Sequence, residues 1–392
     1  MKIAFVYDAV YPWVKGGAEK RIYELGRRLA RQGHDVHLFG IRWWEGEDVI
    51  EREGMVLHGV CAPRDLYTGD RRSITEAIVF AMNLYPHLMH ERFDLIDVSV
   101  FPYFPCFTVK LVSAVKRTSA CYTWHEVWDD YWYEYMGRTG FFGKLVERAV
   151  AWISINNIAV SELTEKRLRY LGVPEKDISV IPNGIDIKSI AETGQDKEQA
   201  AAIDTDRRKY DIVFAGRLIR EKNVDIIIRA TSLLKKDIPD IRCCIIGEGP
   251  RKEELVNLAL ELGIDGNVDF ADFLDYGILI KKLRASRVFL LPSSREGFGI
   301  SVIEAFACGI PVITVNQEYN AAQYLVSDGV DGFVVLLNEK EVAARTRTLL
   351  LEENYEAFSR AARQKAEKYD WEIIVEQFMR TTEIGPLPER TL

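Results

Sequence analysis

Two loops in the second half of the chain combine residue types suited to binding an anion and a sugar. The first reads Gly216-Arg217-Leu218-Ile219-Arg220-Glu221-Lys222-Asn223 and lies just ahead of a segment with helical period. A planar guanidinium fork (Arg217) and a compact ammonium (Lys222), set beside the positive end of a helix, suit a phosphate or diphosphate. A solvated basic loop is the competing reading of that segment alone, and Gly216 at the strand exit tilts the balance toward an anion site. The second loop runs Ser293-Ser294-Arg295-Glu296-Gly297-Phe298-Gly299-Ile300 and leads into a helix carrying Glu304. Carboxylates accept hydrogen bonds from vicinal hydroxyls, so one acid near a sugar and another near a ribose is a sensible division. Glu304 could instead face solvent, but Ile303, Ala305, Phe306 and Ala307 around it argue against that. In the first half His125 stands at the end of a strand-like run, where ligands of open α/β sheets bind. A lone histidine is more often structural, and His34, His37, His58, His87 and His90 are expected at the surface or in structural roles.

These loops need elements to hold them. Short β-rich apolar runs alternate with longer helical segments through the whole length, which predicts an α/β fold with doubly wound parallel sheets. In the first half, strands are expected at Ile3–Tyr7, Asp35–Phe39, Val56–Val60, Leu95–Val98 and Ala120–Thr123, with Asn157–Val160 completing the sheet. Gly16-Gly17 makes a turn into a helix over Ala18–Gln32, with Ile22, Leu25 and Leu29 on one face and Gly33 closing it. Residues 186–210 turn polar and mark a boundary. A second series follows, with strands at Ile212–Ala215, Cys243–Ile246, Val268–Phe270, Val288–Leu291 and Val312–Thr314. Its helices are expected near 223–235, 250–262, 301–308 and 340–351, and a last helical segment begins at Trp371.

Composition narrows the function. The 392 residues include 51 Lys and Arg against 59 Asp and Glu, a net charge of -8, which argues against nucleic acid as a partner. Six scattered cysteines without CxxC spacing read as buried thiols in a reducing compartment, not as a zinc site. The N-terminus reads as a first strand rather than a signal, and no apolar run reaches the roughly 18 residues of a spanning helix. The expectation is a cytoplasmic protein, at most peripheral at the inner membrane face. Two features bear on such contact: the aromatic stretch Tyr122–Tyr135, and the basic residues Lys20, Arg21, Arg27, Arg28 and Arg31 of the first helix. Core packing and a solvated helix face are their ordinary alternatives. Asp204-Thr205-Asp206 matches a metal-binding DxD pattern but sits in the polar stretch, and is read as solvated.

The loops also resemble a known family. Gly216-Arg217 with Glu221-Lys222-Asn223, Glu296 and Glu304 separated by seven residues, and Ala307-Cys308-Gly309-Ile310-Pro311-Val312 form one ordered set. Gly16-Gly17-Ala18-Glu19, Gly33-His34-Asp35-Val36, His125-Glu126, Val160-Ser161 and Ile181-Pro182-Asn183-Gly184-Ile185-Asp186 precede it in matching order. Together they resemble the retaining, nucleotide-sugar-dependent glycosyltransferases of the GT-B fold, family 4-like. The resemblance implies two Rossmann-like domains facing each other across a cleft. Residues 1–185 would bind the acceptor, 186–370 the nucleotide-sugar donor, and 371–392 would cross back as a helix.

It further implies that Arg217 and Lys222 clasp the donor diphosphate, Glu304 holds the ribose and Glu296 the sugar hydroxyls. Backbone amides of Phe298, Gly299 and Ile300 would touch sugar and phosphate. Gly16 and Gly17 would let their loop close over the phosphate region, and His125 would contact the transferred sugar. No metal or other cofactor is required. The donor is expected to be a UDP-sugar, and the acceptor a hydroxyl of a glycan, a lipid-linked molecule or a small molecule. Departures from the pattern occur at Asn316-Gln317-Glu318-Tyr319-Asn320, where a glycine pair and a glutamate are common, and at Asp272, where glycine is. A dehydrogenase is disfavoured because the first turn lacks GxGxxG. A nucleotide-sugar epimerase of the same fold and a catalytically silent sugar-nucleotide binder are the alternatives.

Overall fold

The structure, a computed structural model, describes residues 1–64, 67–68, 71–193, 209–351 and 354–383. The DxD triplet Asp204-Thr205-Asp206 lies outside them. The chain divides into two units: Met1–Asn183 together with the segment from Trp371 onward, and Gly184–Asp370.

The N-terminal unit is built on an eight-stranded sheet ordered Ile178–Val180, Asn157–Ala159, Ser119–Trp124, Leu95–Val100, Lys2–Val6, Asp35–Gly40, Met55–Gly59 and Val49–Arg52. All neighbours are parallel except Val49–Arg52, which runs antiparallel to Met55–Gly59. Two expectations need correction here. Asn157–Ala159 does not complete the sheet, because Ile178–Val180 pairs beyond it. The antiparallel edge strand Val49–Arg52 was also not expected. Both extra strands are only three or four residues long and lie largely outside the core, too short for an apolar run or an alternation to mark them in sequence.

The helix Gly17–Arg31 covers one face of this sheet, and the final helix Trp371–Thr381 packs with it. Ile22, Leu25 and Leu29 from the first helix and Trp371, Ile374 and Phe378 from the last share one core with Ile3 and Phe5. Phe5 and Phe378 stack with ring centroids 5.9 Å apart. Each fully buried side chain of this size contributes about 1.5–3 kcal/mol, which is what fastens a segment remote in sequence to the first strand.

The arginines of the same helix, expected on a solvated face or against lipid, have partners within this unit. Arg21 is buried and donates to the Pro182 carbonyl and to Asn183 Oδ1 at 3.2 Å. Arg27 and Arg28 both pair with Glu24, Arg28 also reaches Glu372 at 3.0 Å, and Arg31 pairs with Glu53. The aromatic stretch is likewise mostly core: Tyr122, Trp124, Trp128, Tyr131 and Trp132 are buried, and Tyr133 is exposed. Of the six cysteines five are buried, whereas Cys61 is half-buried, its thiol pushed up to about 11 by burial.

The C-terminal unit holds a six-stranded parallel sheet ordered Val268–Ala271, Cys243–Ile246, Tyr210–Ala215, Ser286–Leu291, Val312–Val315 and Gly332–Val335. Every strand predicted in this half is present, and Gly332–Val335 extends the edge. Helices Val224–Leu234, Lys252–Glu261, Ile300–Ala307 and Glu339–Leu351 occupy the four predicted positions.

Candidate functional site

In the C-terminal unit the two chemistry-bearing loops leave adjacent strands, Tyr210–Ala215 and Ser286–Leu291. The first turns through a single 3-10 turn, Arg220–Lys222, and enters the helix Val224–Leu234 through Asn223, which adopts a left-handed conformation (φ 47°). The Asn223 side chain donates to the Pro292 carbonyl at 2.9 Å, and Ser294 donates from its amide (2.8 Å) and hydroxyl (3.2 Å) to the Glu221 carbonyl. These bonds stitch the loops together, and across the seam the Lys222 ammonium pairs with the Glu296 carboxylate. Their side chains are only 17% and 12% exposed, so this pair is better shielded than an ordinary surface ion pair. Arg217 is exposed at the start of the first loop.

Glu296 is held from the other side as well. The short strand Arg295–Glu296 pairs in parallel with Tyr319–Asn320. Asn320, fully buried, donates to Val315 O at 2.7 Å and to Thr314 Oγ1 at 3.1 Å and accepts from the Ala322 amide at 3.0 Å. The departure at 316–320 therefore includes a buried asparagine that props the strand bearing Glu296. The other departure, Asp272, pairs with Lys252.

Gly299 caps the helix Ile300–Ala307 at φ 104°, and a Cβ there would come within 3.0 Å of the Ala322 methyl. That left-handed cap lets the chain turn from Glu296 into a helix whose positive end lies beside Phe298, Gly299 and Ile300. Phe298 is buried against Tyr369, with ring centroids 5.9 Å apart. Glu304 is buried, one turn along. Burial, and then the Glu304 carboxylate, push the Tyr276 hydroxyl well above its usual range.

The loop Gly247-Glu248-Gly249-Pro250 escaped the sequence analysis, yet it supports Arg217. The Leu218 amide donates to Glu248 O at 2.8 Å and the Arg251 amide to Leu218 O at 3.1 Å. A Cβ on Gly247 would lie 1.9 Å from the Gly216 carbonyl oxygen. Two glycines two apart at a strand exit were the available signal.

In the N-terminal unit Gly16 caps the helix Gly17–Arg31 with extended backbone, and the nearest atoms to a Cβ there belong to the flexible end of Glu19. The fold itself thus sets only a soft limit on residue size at this position. His125 follows directly on the strand Ser119–Trp124, half-buried, with Nε2 3.2 Å from Ser99 Oγ and its ring 6.3 Å from that of Tyr7. Burial, reinforced by the positive charge of Arg21, pushes its pKa down to about 3, so the imidazole is neutral at physiological pH.

The chain beyond His125 is pinned by Glu147. This carboxylate is fully buried and accepts from the Trp128 amide (2.8 Å), the Asp129 amide (2.7 Å) and the Tyr103 hydroxyl (2.7 Å). Sequence reasoning passed it over; one acid in the largely apolar helix Gly140–Ile153 was the clue. Among the described residues no group of three or more His, Cys, Asp or Glu is placed to hold a metal ion, and no helix is long and apolar enough to cross a membrane.

In the C-terminal unit the arrangement offers an ammonium, a guanidinium and a helix end for an anion, and two carboxylates for hydroxyls. Comparison with known proteins gives the family. The family described as glycosyl transferases group 1 matches residues 195–368, and the one described as glycosyltransferase family 4 matches residues 15–189. A D-inositol 3-phosphate glycosyltransferase of Mycolicibacterium gilvum is 31% identical over 208 residues, covering 52% of this chain and 45% of that protein. The chain thus spans about half the length of that curated relative. Among solved structures, sucrose-phosphate synthase from Thermosynechococcus elongatus superposes with a TM-score of 0.81 at 20% identity, covering 97% of this chain and 98% of that one. Anabaena HepE in complex with UDP gives a TM-score of 0.76 at 20% identity, covering 98% and 100%. With the two family matches adjoining along the chain and the fold shared over its whole length, this protein belongs to the glycosyltransferases of the GT-B fold, family 4-like.

Proposed function

We propose that the protein transfers a sugar, with retention of anomeric configuration, from a nucleoside-diphosphate sugar to a hydroxyl of a glycan, lipid-linked or small-molecule acceptor. UDP-sugars are the favoured donors, and the neighbour obtained with UDP supports that choice. The observation that carries the reading is the stitched pair of loops in the C-terminal unit, where Lys222 and Glu296 meet beside the start of a helix.

In the reaction, the acceptor oxygen bonds to the anomeric carbon on the face from which the diphosphate departs. The bond between that carbon and the diphosphate oxygen breaks, its electron pair leaves with the phosphate, and the proton of the acceptor hydroxyl passes to the departing diphosphate oxygen on the same face. Charge therefore grows on the diphosphate. Arg217, Lys222 and the amides of Phe298, Gly299 and Ile300 are the groups we assign to it. A preorganised donor of this kind is typically worth about 2.7–4 kcal/mol of barrier. Glu296 takes the sugar hydroxyls and Glu304 the ribose. From the N-terminal unit, Gly16 and Gly17 are assigned to the phosphate region and neutral His125 to the transferred sugar. With cations and dipoles in this role, no metal ion is required.

Calorimetric titration with UDP-, GDP- and ADP-sugars, followed by NMR of the product anomer in the presence of EDTA, tests the reading. Heat with a UDP-sugar, and a product of unchanged anomeric configuration formed despite EDTA, are expected. An inverted product, or consumption of donor without acceptor, would refute it.

A further inference from the structure

Glu304 stands in a largely apolar helix. Val302, Ile303, Ala305 and Phe306 around it are fully buried, and Glu304 itself is 6% exposed. A carboxylate taken out of water needs hydrogen-bond donors to offset its lost hydration. One donor comes from the helix Tyr276–Arg284, which lies in contact with Ile300–Ala307. Tyr276, Ile280 and Leu283 follow helical spacing, so the side of that helix which buries Ile280 and Leu283 also carries Tyr276.

The Tyr276 hydroxyl donates to the Glu304 carboxylate. Asp186 is a second acid whose charge reaches that hydroxyl, and its own carboxylate accepts from the Ser189 amide at 2.8 Å. Burial and the neighbouring acids disfavour the phenolate, so the tyrosine stays protonated and serves Glu304 as a donor. Two carboxylate oxygens offer about four acceptor positions, and one hydroxyl takes one of them. What remains suits a pair of neighbouring hydroxyls. A glutamate side chain also has several torsions to fix, and a partner that fixes them before a ligand arrives lowers the cost of binding.

We infer that Tyr276 is a positioning residue that holds Glu304 ready for the 2′- and 3′-hydroxyls of a ribose, so that the protein selects ribonucleotides over deoxyribonucleotides. This rests on the assignment of Glu304 to the ribose proposed above and adds the group that orients the acid. The consequence is a coupling between two hydroxyl-bearing partners on either side of one carboxylate. Removing the tyrosine hydroxyl matters to a ligand that has ribose hydroxyls to offer, and not to one that lacks them. A tyrosine that merely packed the two helices together would weaken every nucleotide alike.

Calorimetric titration of the full chain with UDP, ADP and GDP, each beside its 2′,3′-dideoxy form, tests the coupling in the parent, in Tyr276→Phe and in Glu304→Gln. The parent is expected to bind its preferred ribonucleotide roughly tenfold or more tightly than the dideoxy form. In Tyr276→Phe that preference is expected to shrink roughly fivefold or more, while dideoxy binding and circular dichroism stay as in the parent. In Glu304→Gln the preference is expected to fall at least as far. No binding of any of the three, a parent without the preference, or a Glu304→Gln that keeps it overturns the ribose assignment and the role of Tyr276 with it. A preference lost in Glu304→Gln but intact in Tyr276→Phe overturns the role of Tyr276 alone. Equal weakening of ribose and dideoxy forms in Tyr276→Phe does the same.

Discussion

The two units hold their candidate site residues by opposite physical means. In the C-terminal unit the key groups are charged, partly exposed and held by partners from a neighbouring loop, as in the Lys222–Glu296 pair. In the N-terminal unit His125 is kept neutral by burial and a nearby guanidinium, and its loop is pinned by the buried acceptor Glu147. The difference teaches where each unit is fragile. A charged pair that keeps some contact with solvent can exchange its partner for a ligand, so its loss strikes ligand handling more than folding. A buried acceptor with three donors contributes to folding itself, so its loss strikes stability.

The largest effect expected from this contrast is that of Lys222→Ala. On the proposed mechanism, kcat/KM falls about 10²–10³-fold in steady-state assays while thermal unfolding is nearly unchanged. Near-parent turnover would remove the charged half of the comparison. Glu147→Ala sharpens the other half: it leaves the Tyr103 hydroxyl and two amides without their acceptor, and chemical denaturation is expected to show a loss of about 3 kcal/mol or more. A stability loss comparable to that of Lys222→Ala would mean the units are not held differently.

Asn320→Ala lies between these cases, since a buried residue there props a strand that carries a charged one. A destabilisation of about 1–3 kcal/mol is expected, together with weaker donor binding by calorimetry.

The smallest effect concerns pH. The folded-state pKa of His125, about 3, is below its ordinary 6.5, so the unfolded chain binds the extra proton first. Its contribution to stability is complete above about 6.5 and declines as pH falls toward about 3. His34, His37 and His58 are lowered too and act in the same direction, so the comparison must be with His125→Gln. That variant should show a shallower decline in melting temperature over this range, and parallel curves would remove His125 from the account.

Much of the site was legible because its chemistry is written locally. The Arg217–Lys222 and Glu296–Glu304 segments lie at strand exits, and a strand followed by a helix is visible as a change of period from 2 to 3.6. Gly299 was legible as a place of close backbone approach, and the structure adds that it caps the helix in a left-handed conformation. Glu147, Asn320 and Gly247 were not legible as site supports, because each acts on a loop distant in sequence. The first helix misled for a related reason. Its arginines look like a solvent-facing row, but one reaches Glu372, 344 positions away, and another is buried with its Nη1 donating to the Pro182 carbonyl.

Taken alone, the sequence determined the class of fold, the order of most strands and helices, and the loops bearing charge. Those properties follow from periodicity and turn chemistry within a few tens of residues. Tertiary structure alone decided that Lys222 would find Glu296 across 74 positions and that His125 would be neutral. It also decided that, among the described residues, Met82, Phe142 and Trp152 would stay exposed. Hydrophobic pattern states that a helix side avoids water; which element covers that side, or whether any does, depends on how the sheet orders its strands.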